Sequence, residues 1–209
     1  MRAPVIRSLV LSLALLAAPL AAPMAASAQT AAPPAVTSAD RVLGRADAPV
    51  TVIEYASFVC SHCADWHTTV LPTFKARYIA TGQVRLVFRN LPTSPAQVAA
   101  RAAGVARCAV PARFYDVASS FMTGQAAIIE GGPLADWYAA GVAASGRTQA
   151  EIDACLADPA TLDGLRAEIA GATAAGVRGT PSFFVNGRAV SDTSLDGLSA
   201  AIRPLLPRG

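Results

Sequence analysis

The stretch from Pro49 to Phe58, PVTVIEYASF, runs straight into Cys60-Ser61-His62-Cys63. It is β-branched and aromatic, and almost continuously apolar around Glu54, which is the pattern of a strand covered on both faces. The segment after it, ADWHTTVLPTFKARYIATG, reads as a helix. Pro72 is expected to kink that helix or end its first part, and Gly82 to close it. Val84 to Asn90 (VRLVFRN) reads as a second strand. A buried strand, a CxxC, a helix and a strand in that order commit the chain to a layered α/β architecture.

The next eighty or so residues are helical in pattern. Ser94-Pro95 reads as an N-cap with proline at the first helical position, ahead of the alanine-rich run 96–109. Pro111 restarts a helix through Phe114, Tyr115, Val117 and Phe121. Pro133 begins another, carrying Trp137 and Val142. Thr148 and Glu151 stand at capping-box spacing, and Asp158-Pro159 opens a helix running towards Ala175. Strand character returns at Ser182-Phe183-Phe184-Val185, where Asn186-Gly187 is a strong hairpin signal. Ser194 caps a final amphipathic helix with Leu195, Leu198 and Ile202 on one side. The order predicts a thioredoxin-like fold with an inserted all-helical subdomain: residues 41–93 as the first part, 94–175 as the insertion and 176–209 as the second part.

Residues 1–28 read as a secretory signal peptide. Arg2 and Arg7 form its charged start, Ser8 to Ala18 its apolar stretch, and Ala26-Ser27-Ala28 its cleavage site. The alternative is an uncleaved membrane anchor, against which Pro19 and Pro23 interrupt the apolar run. Export implies the periplasm and an oxidising compartment. Residues 29–40 (QTAAPPAVTSAD) read as a flexible lead-in. The formal net charge is +3 over 209 residues, and Arg2 and Arg7 supply two of those charges. With no basic run and no interleaved aromatic patch, the chain has no electrostatic footprint for nucleic acid.

Chemistry concentrates at the CxxC. A helix N-terminus presents unpaired N–H groups and partial positive charge, so Cys60 is expected to have a lowered pKa, with His62 adding to the effect, and Cys63 to be buried and less reactive. A stabilised thiolate stabilises the reduced form and makes the disulfide a better electron acceptor. The competing reading is half of a zinc site, C-x2-C-x3-H through His67, completed by Cys108 and Cys155. Otherwise His67 reads as an ordinary helix residue. Glu54 is either a buried acid that exchanges the proton of Cys63 or a strand-end carboxylate reaching solvent. Thr180-Pro181 is either an ordinary trans strand start or a cis bond that frees the Thr180 backbone to pair with an extended substrate. Cys108 and Cys155 are most simply a structural disulfide. A second redox pair is the competing idea. Phe58, Trp66 and Phe183 are candidates for an apolar groove that takes unfolded chains.

Together, VIEYASFVCSHC at 52–63, FRNLP at 88–92 and GVRGTPSFFVNG at 176–187 resemble the DsbA-like family of thiol:disulfide oxidoreductases. The resemblance covers roughly residues 40–206. It implies that Cys60 is the nucleophile, Cys63 the resolving cysteine, His62 a tuning residue and Glu54 the buried acid. It also implies that Pro181 is a cis-proline preceded by Thr180, and that Cys108 and Cys155 form an extra disulfide. Ser61 stands where the best-known members carry proline, and Thr180 where they carry valine. The implied activity is oxidation of reduced, newly exported proteins by a monomeric enzyme. It would need no metal or organic cofactor and would be recharged by a quinone-linked membrane partner of the DsbB type. A periplasmic reductase or isomerase of the same fold, and a non-catalytic client-binding module, are the alternatives.

Overall fold

The structure, a computed structural model, describes residues 31–207. The segment read as a signal peptide lies outside the described residues. Among those described, no helix is long and apolar enough to cross a membrane.

Five strands form one sheet in the order β1-β3-β2-β4-β5. They are β1 (Arg41–Leu43), β2 (Val50–Ala56), β3 (Val84–Asn90), β4 (Ser182–Val185) and β5 (Arg188–Val190). β2 is central, parallel to β3 and antiparallel to β4. Its alternation divides the core. Val50 and Val52 face a helical layer through Trp66, Leu71, Phe74 and Tyr78, joined by Leu198 and Ile202 of α8 (Leu195–Ile202). Ile53 and Tyr55 face the opposite side, against Ala172 of α7 (Pro159–Ala174) and Ala175. This double cover explains why β2 reads as nearly continuous apolar sequence. Asn186 and Gly187 turn the β4–β5 hairpin with φ of 44° and 82°, the left-handed pair that a two-residue turn of this kind requires. Strand β1 carried no sequence signal, because three residues are too few to show a period. It pairs antiparallel with β3.

The helix after the CxxC does not end at Pro72. It passes from α1 (Ser61–Asp65) through a π-helical turn (Trp66–Val70) into α2 (Leu71–Phe74) and a second π-helical turn (Lys75–Ile79). Leu71 N–H donates to the Trp66 carbonyl, five residues back. The widened turn relieves the clash that a proline ring makes with the preceding turn. Thr68 and Thr69 hydroxyls donate to the carbonyls of Ala64 and Asp65 at 2.8 and 2.6 Å. Gly82, at φ 71°, closes the run.

Between β3 and β4 lie α3 (Ala96–Cys108), α4 (Phe114–Ile129), α5 (Leu134–Ala144), α6 (Gln149–Ala157) and α7. The Thr148–Glu151 capping box is present, and Asp158 caps α7. Ser94 is not a cap. The Ser94–Pro95 bond is cis and α3 begins at Ala96 without a side-chain cap. Phe58, Phe88, Phe114, Phe121 and Trp137 join this layer to the sheet in one cluster. Cys108 and Cys155 are bonded to each other, tying α3 to α6. The chain-entropy model gives closure of a loop of that length roughly 4 kcal/mol.

The lead-in is pinned at its C-terminal end, contrary to its flexible composition. Arg89 donates to the Pro34 and Ala35 carbonyls and to Asp40 at 2.8 and 3.1 Å. The buried guanidinium of Arg89 needs these acceptors, and the segment supplies them. Glu168 of α7 performs a similar task beside it. It accepts from the Asn90 backbone and side chain at 2.9 and 2.8 Å and pairs with Arg107 of α3. Burial raises the Glu168 carboxyl above its ordinary range.

Gly141 of α5 lies under the Phe121 ring of α4, with no room for a Cβ. Gly141→Ala is therefore expected to destabilise the fold by about 1–3 kcal/mol in urea unfolding. Gly179→Ala, where a Cβ meets nothing within 4 Å, is expected to stay within about 0.5 kcal/mol of the parent.

Candidate active site

β2 delivers the chain to the start of α1, and the residue standing at the cap position is Cys60. Its carbonyl accepts from the N–H groups of Cys63 and Ala64 at 3.1 and 3.0 Å. The sulfur makes no side-chain cap hydrogen bond, but the backbone N–H groups of His62 and Cys63 lie near enough to favour its thiolate. The Cys60 Sγ also lies 3.3 Å from the Thr180 carbonyl oxygen, across 120 residues of sequence. That approach follows from topology. β4 is the antiparallel neighbour of β2, so the start of β4 meets the end of β2 at one sheet edge. Thr180–Pro181 is cis.

The two thiols are free and differ sharply. Cys60 is half-buried, and its pKa is lowered to about 5. The largest cause is a hydrogen bond with the Cys63 side chain; burial opposes it, and Thr180 and the Cys63 and His62 backbone add to the lowering. Cys63 is completely buried. Its thiol is pushed well above the ordinary range by its bond to Cys60, by burial and by the charge of Glu54. One sulfur is an anion at neutral pH and the other holds its proton. His62 is exposed and borders a groove with Thr180 and Pro181. Its backbone, rather than its ring, is what the structure brings to Cys60.

Glu54 sits in the middle of β2 with no exposure, and does not reach solvent. Its register partners are Phe88 on β3 and Phe183 on β4. The polar partner is His67, whose Nε2 lies 3.0 and 3.1 Å from the two carboxylate oxygens. His67 is thus not an ordinary helix residue. It is buried beside Phe88, with rings edge-on at 5.8 Å. A buried acid without a partner costs several kcal/mol, and breaking such a pair costs about 3–5 kcal/mol. Two sequence signals could have joined them: a charged residue inside an apolar strand, and a histidine on the apolar side of the next helix. The zinc ligand set is not assembled, because His67 turns to Glu54 and Cys108 bonds Cys155.

Gln125 of α4 was not legible as a site residue. Its Nε2 donates to the carbonyls of Phe58 and Cys60 at 2.8 and 3.2 Å, fixing the loop before α1. A single glutamine in a largely apolar helix gives no signal of this. The expected apolar groove is absent from the residues proposed for it. Phe58, Trp66 and Phe183 are 1%, 3% and 1% exposed and belong to the core. Of the three, Trp66 alone borders the hollow of about 450 Å³ beside Pro181, whose edge is otherwise mainly polar, with Asp65, Thr69, Asp192 and Ser194.

The lowered pKa has consequences of fixed sign. Cys60 contributes stability to the reduced protein above the ordinary thiol pKa, and that contribution is lost as pH falls towards about 5. Iodoacetamide alkylation of the reduced protein is expected at Cys60 alone, with its rate following a thiolate titration centred near 5. A midpoint between about 8 and 9, that of an unperturbed thiol, would contradict the geometry.

The thioredoxin family model matches residues 36–203. A putative protein-disulfide oxidoreductase of Rickettsia bellii is 32% identical over 171 residues, covering 78% of this chain and 63% of the relative. A probable disulfide bond formation protein D of Bacillus cereus is 47% identical over 55 residues, 26% of each chain. The chain thus spans less than two thirds of the length of these relatives. Among solved structures, Wolbachia pipientis alpha-DsbA1 superposes with a TM-score of 0.69 at 23% identity, covering 79% of this chain and 90% of that one. BdbD from Bacillus subtilis gives 0.69 at 19% identity, covering 85% and 97%. The chain belongs to the thioredoxin family.

Proposed function

We propose that the protein is a periplasmic thiol:disulfide oxidoreductase that introduces disulfide bonds into newly exported proteins. The observation that carries this reading is the asymmetry of the two thiols, with Cys60 lowered to about 5 and Cys63 raised and buried. In the oxidised enzyme, a substrate thiolate attacks Cys60 Sγ, and the Cys60–Cys63 bond breaks with its electron pair on Cys63. A proton then neutralises Cys63, with Glu54 as the nearby acid. A second substrate thiolate attacks the substrate sulfur of the mixed disulfide and expels Cys60 as a stable thiolate. The substrate leaves oxidised and the enzyme reduced. The low pKa of Cys60 favours that last step, because a weaker base leaves faster.

Thr180 and Pro181 form the substrate-facing edge in this reading. The extended substrate backbone pairs beside the cis bond, within reach of Cys60. Cys108–Cys155 serves stability, remote in sequence from the exchange chemistry. The relatives named as a protein-disulfide oxidoreductase and a disulfide bond formation protein support the class of reaction. A membrane partner of the DsbB type returns the enzyme to its disulfide form, and the enzyme works as a monomer.

The reduction potential of Cys60–Cys63, equilibrated against glutathione, tests the direction of electron flow. Replacing Cys108 and Cys155 with alanine leaves a single couple to be read. A value near the oxidising end, about −120 mV, is expected for a disulfide donor. A value near about −270 mV would instead mark a reductase.

A further inference from the structure

The Glu54–His67 pair lies between the buried sulfur and a second opening in the surface. With Nε2 held by the Glu54 carboxylate, the rest of the His67 ring lines a cleft of about 290 Å³ between the helix that starts at the CxxC and α4. Thr68, Pro72 and Lys75 border it on one side, and Tyr115, Ser119 and Thr123 on the other. This cleft is separate from the groove at Thr180 and Pro181. Other titratable groups facing the pair are few. Cys63 faces Glu54 from α1 and feels its charge. Tyr115, from α4, commits its hydroxyl proton to the Leu86 and Arg41 carbonyls at 2.9 and 3.1 Å. β3 and β4 contribute Phe88 and Phe183. Lys75 is exposed at the cleft edge.

We propose that His67 is the outlet of a buried proton path, carrying protons between Glu54 and this side cleft while the substrate occupies the opening at Cys60. The inference rests on the redox reading of the CxxC. During substrate attack, the Cys60–Cys63 bond breaks as the bond from Cys60 to the substrate sulfur forms. The departing Cys63 thiolate takes a proton that His67 passes across the Glu54 carboxylate. His67 is replenished from water in the cleft. Reoxidation runs the same path outward. The enzyme disulfide is the oxidant and the substrate thiolate is oxidised, so no further reactant is needed. A docked polypeptide covers Cys60 and the cis-proline loop, which makes a separate proton entrance useful. Imidazole has two distinct nitrogens, and only Nε2 of His67 is engaged by Glu54. His67 touches neither sulfur nor substrate, and acts through Glu54 as a positioning residue.

The test is single-turnover reduction of the oxidised protein by dithiothreitol between pH 5 and 9, read by acid quench and thiol labelling. His67→Gln keeps a donor for Glu54 and removes the carrier. Its rate at pH 7 is expected to fall at least tenfold, to lose the wild-type pH dependence, and to recover on addition of imidazole, which the cleft can admit. Thr123→Trp, at an exposed position on the cleft rim, leaves the pair intact. It is expected to slow the same step with little imidazole rescue, and it decides the matter if His67→Gln does not fold. Wild-type rates and pH profiles in both variants would overturn the proposal. A wild-type protein that exchanges no disulfides would overturn the functional reading itself, so the two failures are distinguishable.

Discussion

Burial of β2 on both faces is the constraint from which the rest of the molecule follows. A strand so covered must sit between partners, and β3 and β4 supply them. Its carboxyl end is then the only place where the chain can emerge to start a helix, and Cys60 is the residue that emerges. The antiparallel neighbour begins at that same end, which brings Thr180 and Pro181 opposite the sulfur. The site is therefore a consequence of strand order. Neither half of the sequence holds it alone, and the helices between them act at a distance, through Gln125 on the loop carbonyls.

The same burial creates an electrostatic problem and a use for it. A carboxylate in the middle of β2 has aromatic neighbours along both adjacent strands. Its hydrogen-bonded counterpart comes from the helical layer as His67. The bond to Cys60 and burial raise Cys63, with the negative charge of Glu54 adding to them, while the Cys63 side chain, and to a smaller extent the helix start, lower Cys60. Two chemically identical side chains three residues apart thus differ in protonation at neutral pH. The difference sets which sulfur a nucleophile meets and which one leaves reluctantly.

Much of this was legible in the chain, and the parts that were not share a cause. The apolar run of β2, the CxxC after it, the Asn186-Gly187 turn and the Thr148–Glu151 box are local patterns, and each encodes its own geometry. The Glu54–His67 pair is thirteen residues apart and crosses from a strand to a helix, so no period connects its members. Gln125 with the Cys60 loop, and Arg89 with the Pro34–Asp40 segment, are satisfied only by three-dimensional neighbours. Pro72 gives the break in the helix that its ring demands, in the form of a π-helical turn ahead of α2, a form that rules about the lost N–H and the ring clash do not specify. Phe58, Trp66 and Phe183 misled. Aromatic residues near a reactive centre suggest a binding surface, yet their area is better buried in the core they share.

The central claim is that Cys60 is the attacking and attacked sulfur and Cys63 its shielded partner. Trapping with a cysteine-containing peptide disulfide at pH 7, followed by mass mapping of the mixed disulfide, tests it most directly. Cys63→Ser is predicted to form a stable adduct at Cys60, at least a hundredfold faster than Cys60→Ser forms one at Cys63. Equal rates in the two variants, or a faster adduct at Cys63, would contradict the account.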